Sequence, residues 1–304
     1  TCINTYYHKN RMNHPIFLGF INAVSLPEQA NTMIVARNAH LTVDQIGFSY
    51  KEGHAVFSNF SFEASPGEFI ALLGPSGCGK STLLNLLSGF LQPQSGKITL
   101  NGKSLQPESP ELGYVFQSPQ LFPWLSALDN VRFGLRMSER GSAAEQLDQA
   151  RYYLAMVGLA HAEAKLPHEL SGGMQQRVSL ARTLAMEPSL LLMDEPFAAL
   201  DAISRQLMNE ELLRLWSNLG QTVVFITHDI DEAVFLADRV LVLGTAPAGL
   251  EHELPVTLPR PRSQMETRRL PLFHEYSTSL LDKISTAVRP ASQINPMFLF
   301  ESTL

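Results

Sequence analysis

The sequence predicts an α/β protein in which a mainly parallel central sheet is joined by an N-terminal antiparallel β subdomain and an inserted helical subdomain. Apolar or β-rich runs of strand length recur at 69–73, 190–193, 222–226 and 240–243, as expected of strands buried on both faces. Between them lie segments with apolar residues at helical spacing, the alternation that a parallel sheet requires. Ahead of the first run the apolar residues instead alternate with polar ones, the pattern of a sheet with one wet face. At 304 residues the chain is long enough to bury a substantial core.

Residues 1–33 stand apart and are expected to form a poorly ordered extension, with Met33 an alternative start. The apolar stretch 16–26 follows Lys9 and Arg11 like a short signal-peptide core, but it is too short to span a bilayer and no small-x-small cleavage site follows. No other segment approaches the length of a membrane helix, so a membrane connection would run through a partner.

From Ile34 the reading is strand-like. Leu41, Val43, Ile46, Phe48 and Tyr50, a turn at 51–54, then Val56, Phe57, Phe60 and Phe62 predict an antiparallel hairpin. Tyr50 ends its first strand, where a ring can stack on a flat base.

The run 69–73 leads into Gly74-Pro75-Ser76-Gly77-Cys78-Gly79-Lys80-Ser81-Thr82, which fits the phosphate-loop pattern G-x-x-x-x-G-K-[ST]. Its glycines permit positive φ and close approach to an anion, so that backbone amides and the next helix's positive end face phosphates. Lys80 would reach the β/γ-phosphate oxygens, and the Ser81 hydroxyl would ligate Mg²⁺. Leu83, Leu84, Leu86 and Leu87 then recur at helical spacing up to a stop at Gly89. Cys78 reads as a small side chain filling a variable position.

Further on, 96–102 is a short strand with an Asn-Gly turn, and 112–117 leads into the aromatic stretch 121–125. Leu147, Ala150, Leu154 and Val157 mark a helix ending at Gly158, so a helical insertion is expected. Next, Ser171-Gly172-Gly173 reads as a turn before a helix, a second anion-binding helix N-terminus. One nucleotide needs one phosphate loop, so the second makes sense facing the nucleotide of another protomer; an N-cap with a flexible turn is the plain alternative.

The buried run 190–193 ends in Asp194 and Glu195, placing two carboxylates at the strand edge where α/β sheets bind ligands. Asp194 can reach a Mg²⁺ held by Ser81, and Glu195 can polarise a water. Ile203, Leu207, Leu212, Leu215, Trp216 and Leu219 form one stripe between a capping Asp201 and a stopping Gly220. His228 follows the strand 222–226 at the same sheet edge as the acids, within reach of a γ-phosphate.

In their order, GPSGCGKST at 74–82, Gln117 in VFQ, LSGGMQQR at 170–177, LLLMDE at 190–195, AALD at 198–201 and THD around His228 make the chain resemble an ATP-binding subunit of an ABC transporter from about Leu41 to Leu243. The resemblance implies a P-loop NTPase core, with an ABC ATP-binding domain at 34–245 and its helical subdomain at about 117–172. It implies that Tyr50 stacks on adenine, that Gln117 touches Mg²⁺ and the attacking water, that Glu195 is the catalytic carboxylate and that His228 contacts the γ-phosphate. Ser171, Gly172, Gly173 and Gln175 of the signature would act on the ATP of a partner subunit. ATP and Mg²⁺ are the implied cofactors, and a homodimer or paired ATPase subunit on membrane permeases is the implied assembly, peripheral on the cytoplasmic face of the inner membrane.

Pro123-Trp124-Leu125 onward to Leu135, and LPRPR at 258–262, are similar to importers of nitrate, aliphatic sulfonates and taurine, which also use a solute-binding protein. Phe122, Pro123, Trp124 and Leu125 then either grip a short helix of the membrane subunit or pack in the core. Residues 246–304 read as a linker, an amphipathic helix and a tail. Arg260, Arg262, Arg268 and Arg269 either share in that resemblance or form only a solvated basic linker; Leu272, Phe273, Tyr276, Leu280 and Ile284 suggest a docked helix, and nothing is readable beyond Pro290.

The alternative function is a soluble ABC-type ATPase acting in translation or DNA repair. Translation factors of that kind carry two cassettes and repair ATPases insert long coiled coils, and this sequence has neither. A net charge of −6 and a pI near 5.8 disfavour nucleic acid as partner. A scaffold that binds ATP without turnover is disfavoured by Glu195 and His228. Cys2 and Cys78 alone give no disulfide framework, and nine histidines show no paired metal-ligand spacing.

Overall fold

The structure is a computed structural model that describes residues 38–51 and 53–288; the apolar stretch 16–26, Met33 and the tail beyond Pro290 lie outside them. Among the described residues two sheets are present. β1 (Leu41–Ser49), β2 (Ala55–Ala64), β4 (Ser95–Leu100) and β5 (Lys103–Ser104) make an antiparallel sheet in the order β2-β1-β4-β5. Along β1, Leu41, Val43, Ile46 and Phe48 are buried, and the bulged register around Ile46 keeps them on one face.

The second sheet has the order β10-β9-β3-β8-β7-β6, with β3 (Phe69–Leu73), β6 (Leu112–Val115), β7 (Leu190–Asp194), β8 (Thr222–Ile226) and β9 (Arg239–Leu243) parallel. Only the edge strand β10 (Leu250–Pro255) runs antiparallel. The predicted fold class is borne out. The central strands are buried along their whole length because each side feeds a different core. Phe69, Ala71 and Leu73 face the helices, whereas Ile70 and Leu72 face the hairpin layer and the helix after the phosphate loop.

The helices are α1 (Lys80–Leu87), α2 (Ala127–Met137), α3 (Ala143–Met156), α4 (Gly172–Ala185), α5 (Ala202–Leu219), α6 (Ile230–Leu236), the single turn α7 (Gln264–Thr267) and α8 (Pro271–Val288). Ser126 caps α2 and a full capping box, Ser142 with Glu145, starts α3. Asp201 caps α5 through the Ile203 and Ser204 amides, and Gly220 at φ 67° ends it, as its sequence predicts. No helix among the described residues is long and apolar enough to cross a membrane.

Three expectations need correction. Gly172 and Gly173 are the first turn of α4 itself, because Ser171 caps the helix directly by accepting from Met174 N at 3.3 Å. Ile203 and Leu207 do not continue the buried stripe of α5; they are 72% and 55% exposed, while Met208, Asn209 and Leu212 turn inward. Arg260, Arg262 and Arg268 are no solvated linker, as described below. The docked helix is present: Phe273 and Leu280 of α8 are buried in the helix-side core.

Candidate functional site

The phosphate loop leaves the C-terminal end of β3 and closes on itself. Lys80 Nζ donates to the carbonyls of Gly74 at 2.9 Å and Pro75 at 3.0 Å, which poises the ammonium over the mouth of the loop. Gly79 sits at φ +104°, and a Cβ there would lie 2.6 Å from Val56 Cγ1, so the backbone and β2 touch only because the side chain is missing. Gly79 also begins α1 with no side-chain cap, leaving the first amides for an anion. Cys78 is buried, its amide turned back on Pro75 O at 3.3 Å, and burial pushes its thiol pKa up, which removes any thiolate role. Gly77 at φ +79° and the exposed Ser76 complete the rim.

Tyr50 stands at the end of β1 with its hydroxyl 3.1 Å from Thr82 Oγ1 and its ring edge-on to Phe48 at 5.0 Å, leaving a face exposed beside the loop helix.

At the neighbouring strand end, Ser81 lies beside Asp194. Burial raises the Asp194 pKa, opposed by the nearby Ser81 hydroxyl, raised further by the charge of Glu195 and lowered by Lys80. Glu195 Oε2 accepts from Gln117 Nε2 at 3.5 Å and lies 3.4 Å from His228 Nδ1. The backbone of Glu195 is at φ +42°, a conformation rare outside glycine, and its amide is anchored to Ile226 O at 3.1 Å. Four sequence-predicted residues at or just past the C-terminal ends of β6, β7 and β8, namely Gln117, Asp194, Glu195 and His228, therefore converge beside the phosphate loop.

Behind His228 is a buried network that motif reading does not reveal. Thr227 donates to Glu232 and accepts from Asp229 N at 3.0 Å, while Asp229 caps α6 and pairs with Arg205 at 3.4 Å. Glu232 is only 5% exposed, and burial raises its pKa, against the hydrogen bonds of Thr227 and Asn209. A carboxyl raised on folding adds stability that is complete below its unfolded pKa and lost as pH climbs through the folded value. Glu232→Gln keeps a neutral acceptor for Thr227, so it is expected to narrow the fall in thermal midpoint as pH rises above the ordinary carboxyl range. An unchanged pH profile by scanning calorimetry refutes this.

Ser171, Gly172 and Gly173 do not join this cluster; no hydrogen bond or ion pair among the described residues links them to residues 74–82. Nothing lies within 4 Å of a Cβ built on Gly172, so this helix start is open to another molecule. Gln175 turns inward, donating to Pro167 O at 2.9 Å and Leu170 O at 3.2 Å. Its neighbour Gln176 is buried and donates to Phe116 O at 3.2 Å, tying the signature helix to the residue before Gln117. A polar residue at a helix position facing the core is the signal that marks it.

Within the aromatic stretch 121–125, Phe122 is half-buried and Trp124 is exposed. Buried Asn130 on α2 accepts from Phe122 N at 2.8 Å and donates to the carbonyls of Phe122, Leu125 and Ser126 at 3.0 to 3.2 Å. That clasp packs Phe122 on Phe133, with ring centroids 4.4 Å apart, and leaves Trp124 72% exposed.

A family model described as ABC transporter matches residues 57–198. The nitrate import ATP-binding protein NrtD of Synechococcus elongatus is 41% identical over 262 residues, which is 84% of this chain and 94% of that protein. The taurine import ATP-binding protein TauB of Pseudomonas aeruginosa is 43% identical over 252 residues, 81% of this chain and 95% of that protein. The dimeric structure of a post-hydrolysis state of the ATP-binding cassette MJ0796 bound to ADP and Pi superposes with a TM-score of 0.63 at 32% identity, over 71% of this chain and 98% of that one.

Proposed function

This chain belongs to the ABC transporter family as an ATP-binding subunit that hydrolyses ATP for transport, and from that premise we propose that two copies close on two ATP molecules to power uptake of a small anionic solute such as nitrate, an aliphatic sulfonate or taurine. The observation that carries the chemistry is Glu195 held between Gln117 and His228 at the edge of the phosphate loop. The loop amides and Lys80 bind the β/γ-phosphates, Tyr50 stacks on the base, and Ser171 with Gly173 reaches the nucleotide of the partner copy. Glu195 takes the proton of the attacking water, Gln117 orients that water, and His228 holds the γ-phosphate.

The donor set fits Mg²⁺: hard oxygens from Ser81 and Asp194, side by side, with the Gln117 carboxamide alongside Glu195. When bound, the ion would neutralise charge on the phosphate oxygens.

The exposed Trp124, fixed by the Asn130 clasp, suits the permease contact better than a core role and supports a membrane subunit as partner. We place the subunit peripherally on the cytoplasmic face of the inner membrane, with a solute-binding protein delivering the anion. The test is co-purification of the tagged full chain from membranes, followed by ATPase assay. A hydrophobic permease that co-purifies and stimulates hydrolysis is the expected result; a chain that brings down ribosomes or DNA instead overturns the transport role.

A further inference from the structure

We propose that the C-terminal segment from Leu258 to Ser277 is a clamp on α6 that sets the position of His228, making Arg268, Ser277 and Arg262 positioning residues for ATP turnover. The proposal rests on the reading that His228 contacts the γ-phosphate.

Helix α6 starts two residues after His228 and is seven residues long, too short to hold its place through its own hydrogen bonds. Both of its ends are gripped by the C-terminal segment. At the N-terminal end, the Asp231 carboxylate receives Arg268 Nη1 at 3.0 Å on one oxygen and the Ser277 hydroxyl at 2.9 Å on the other. At the C-terminal end, where a helix leaves its carbonyls without partners, guanidiniums supply them. Arg262 Nη1 donates to Val234 O at 3.3 Å and to Phe235 O and Ala237 O at 2.9 Å, and Arg260 Nη2 donates to Leu236 O at 2.9 Å.

The clamp is itself anchored. Arg260 pairs with Asp238 at 2.7 Å and its guanidinium lies 4.3 Å over the Trp216 ring of α5. Gln264 N donates to Glu210 on α5 at 2.6 Å, and Arg268 lies 5.6 Å over the buried Phe273 of α8. Tyr276 Oη accepts from Thr257 N at 3.2 Å, which ties α8 to the residue just before the segment. A shift of this segment is therefore a shift of α6, and of the loop carrying His228.

Arg268→Met and Ser277→Ala in the purified full chain, assayed with MgATP, are the test, since neither residue is fully buried and the fold should survive. The expected result is a kcat lower by about tenfold, because small misplacement of a reacting group is costly, with KM and thermal midpoint nearly unmoved. Arg268→Lys, which keeps a cation for Asp231, should restore most of the rate. Combined with His228→Ala, Arg268→Met should remove nothing further from the residual rate. An unchanged kcat, a loss that tracks the thermal midpoint, or a loss that adds to that of His228→Ala overturns the clamp. Full turnover in His228→Ala alone refutes the assigned role of His228, and the clamp with it.

Discussion

A Glu195→Gln variant is expected to bind ATP as the native chain does, to accumulate as a closed dimer in its presence and to lose nearly all turnover. The substitution is close to isosteric. The side-chain oxygen still accepts from Gln117, and the anchoring of the Glu195 amide on Ile226 is a backbone feature that no side chain alters. What disappears is the ability to take a proton from water, a contribution on the order of 10² to 10⁴ in rate. Because hydrolysis is the step that would reopen the dimer, its loss traps the ATP-bound form. Phosphate release and gel filtration with MgATP measure the two halves of this outcome. Undiminished phosphate release removes Glu195 from its role, and monomers in the presence of ATP remove the dimer.

The largest expected effect on stability belongs to Arg262→Met. Arg262 is 7% exposed, and its guanidinium serves the carbonyls of Val234, Phe235, Ala237 and Leu258. Burial and the neighbouring Arg260 pull its pKa down to about 10, which still leaves it charged at neutral pH. Replacing a buried ion pair with apolar groups can be neutral, because both partners vanish together. Here the partners are backbone carbonyls, which stay behind without donors. Methionine fills most of the volume, so the loss is mainly of charge-assisted hydrogen bonds and is expected to reach about 3 kcal/mol. Urea unfolding reads it directly, and a midpoint equal to that of the native chain would show that water replaces the guanidinium.

The phosphate loop, the strand ending in Asp194 and the cap-to-stop span from Asp201 to Gly220 were readable because each is local: a few consecutive residues fix the turn, the strand or the helix end. Glu195, Gln117 and His228 are far apart in sequence, yet each follows a strand of one parallel sheet, so their meeting at one edge follows from topology. Arg262 was not readable. A guanidinium close to other arginines suggests solvent, and only the tertiary arrangement brings four carbonyls around it. Ile203 and Leu207 mislead for the opposite reason: helical spacing reports a stripe, but not which half of it another element covers. Asn130 is hidden likewise, since a buried asparagine acquires meaning only from the loop it clasps.

The parallel pairing of β3 also governs when this chain can fold. Phe69 pairs with Val223 and Ile70 with Arg239, partners made well over a hundred residues later. At ordinary rates of synthesis, β3 emerges on the order of ten seconds or more before either neighbour exists. Through that interval Phe69–Leu73 is an apolar strand with both edges unpaired, the kind of segment on which nascent chains aggregate. The central sheet is thus assembled as a late event, and a chain released before Leu243 is made has a phosphate-loop sequence with no completed sheet to carry it.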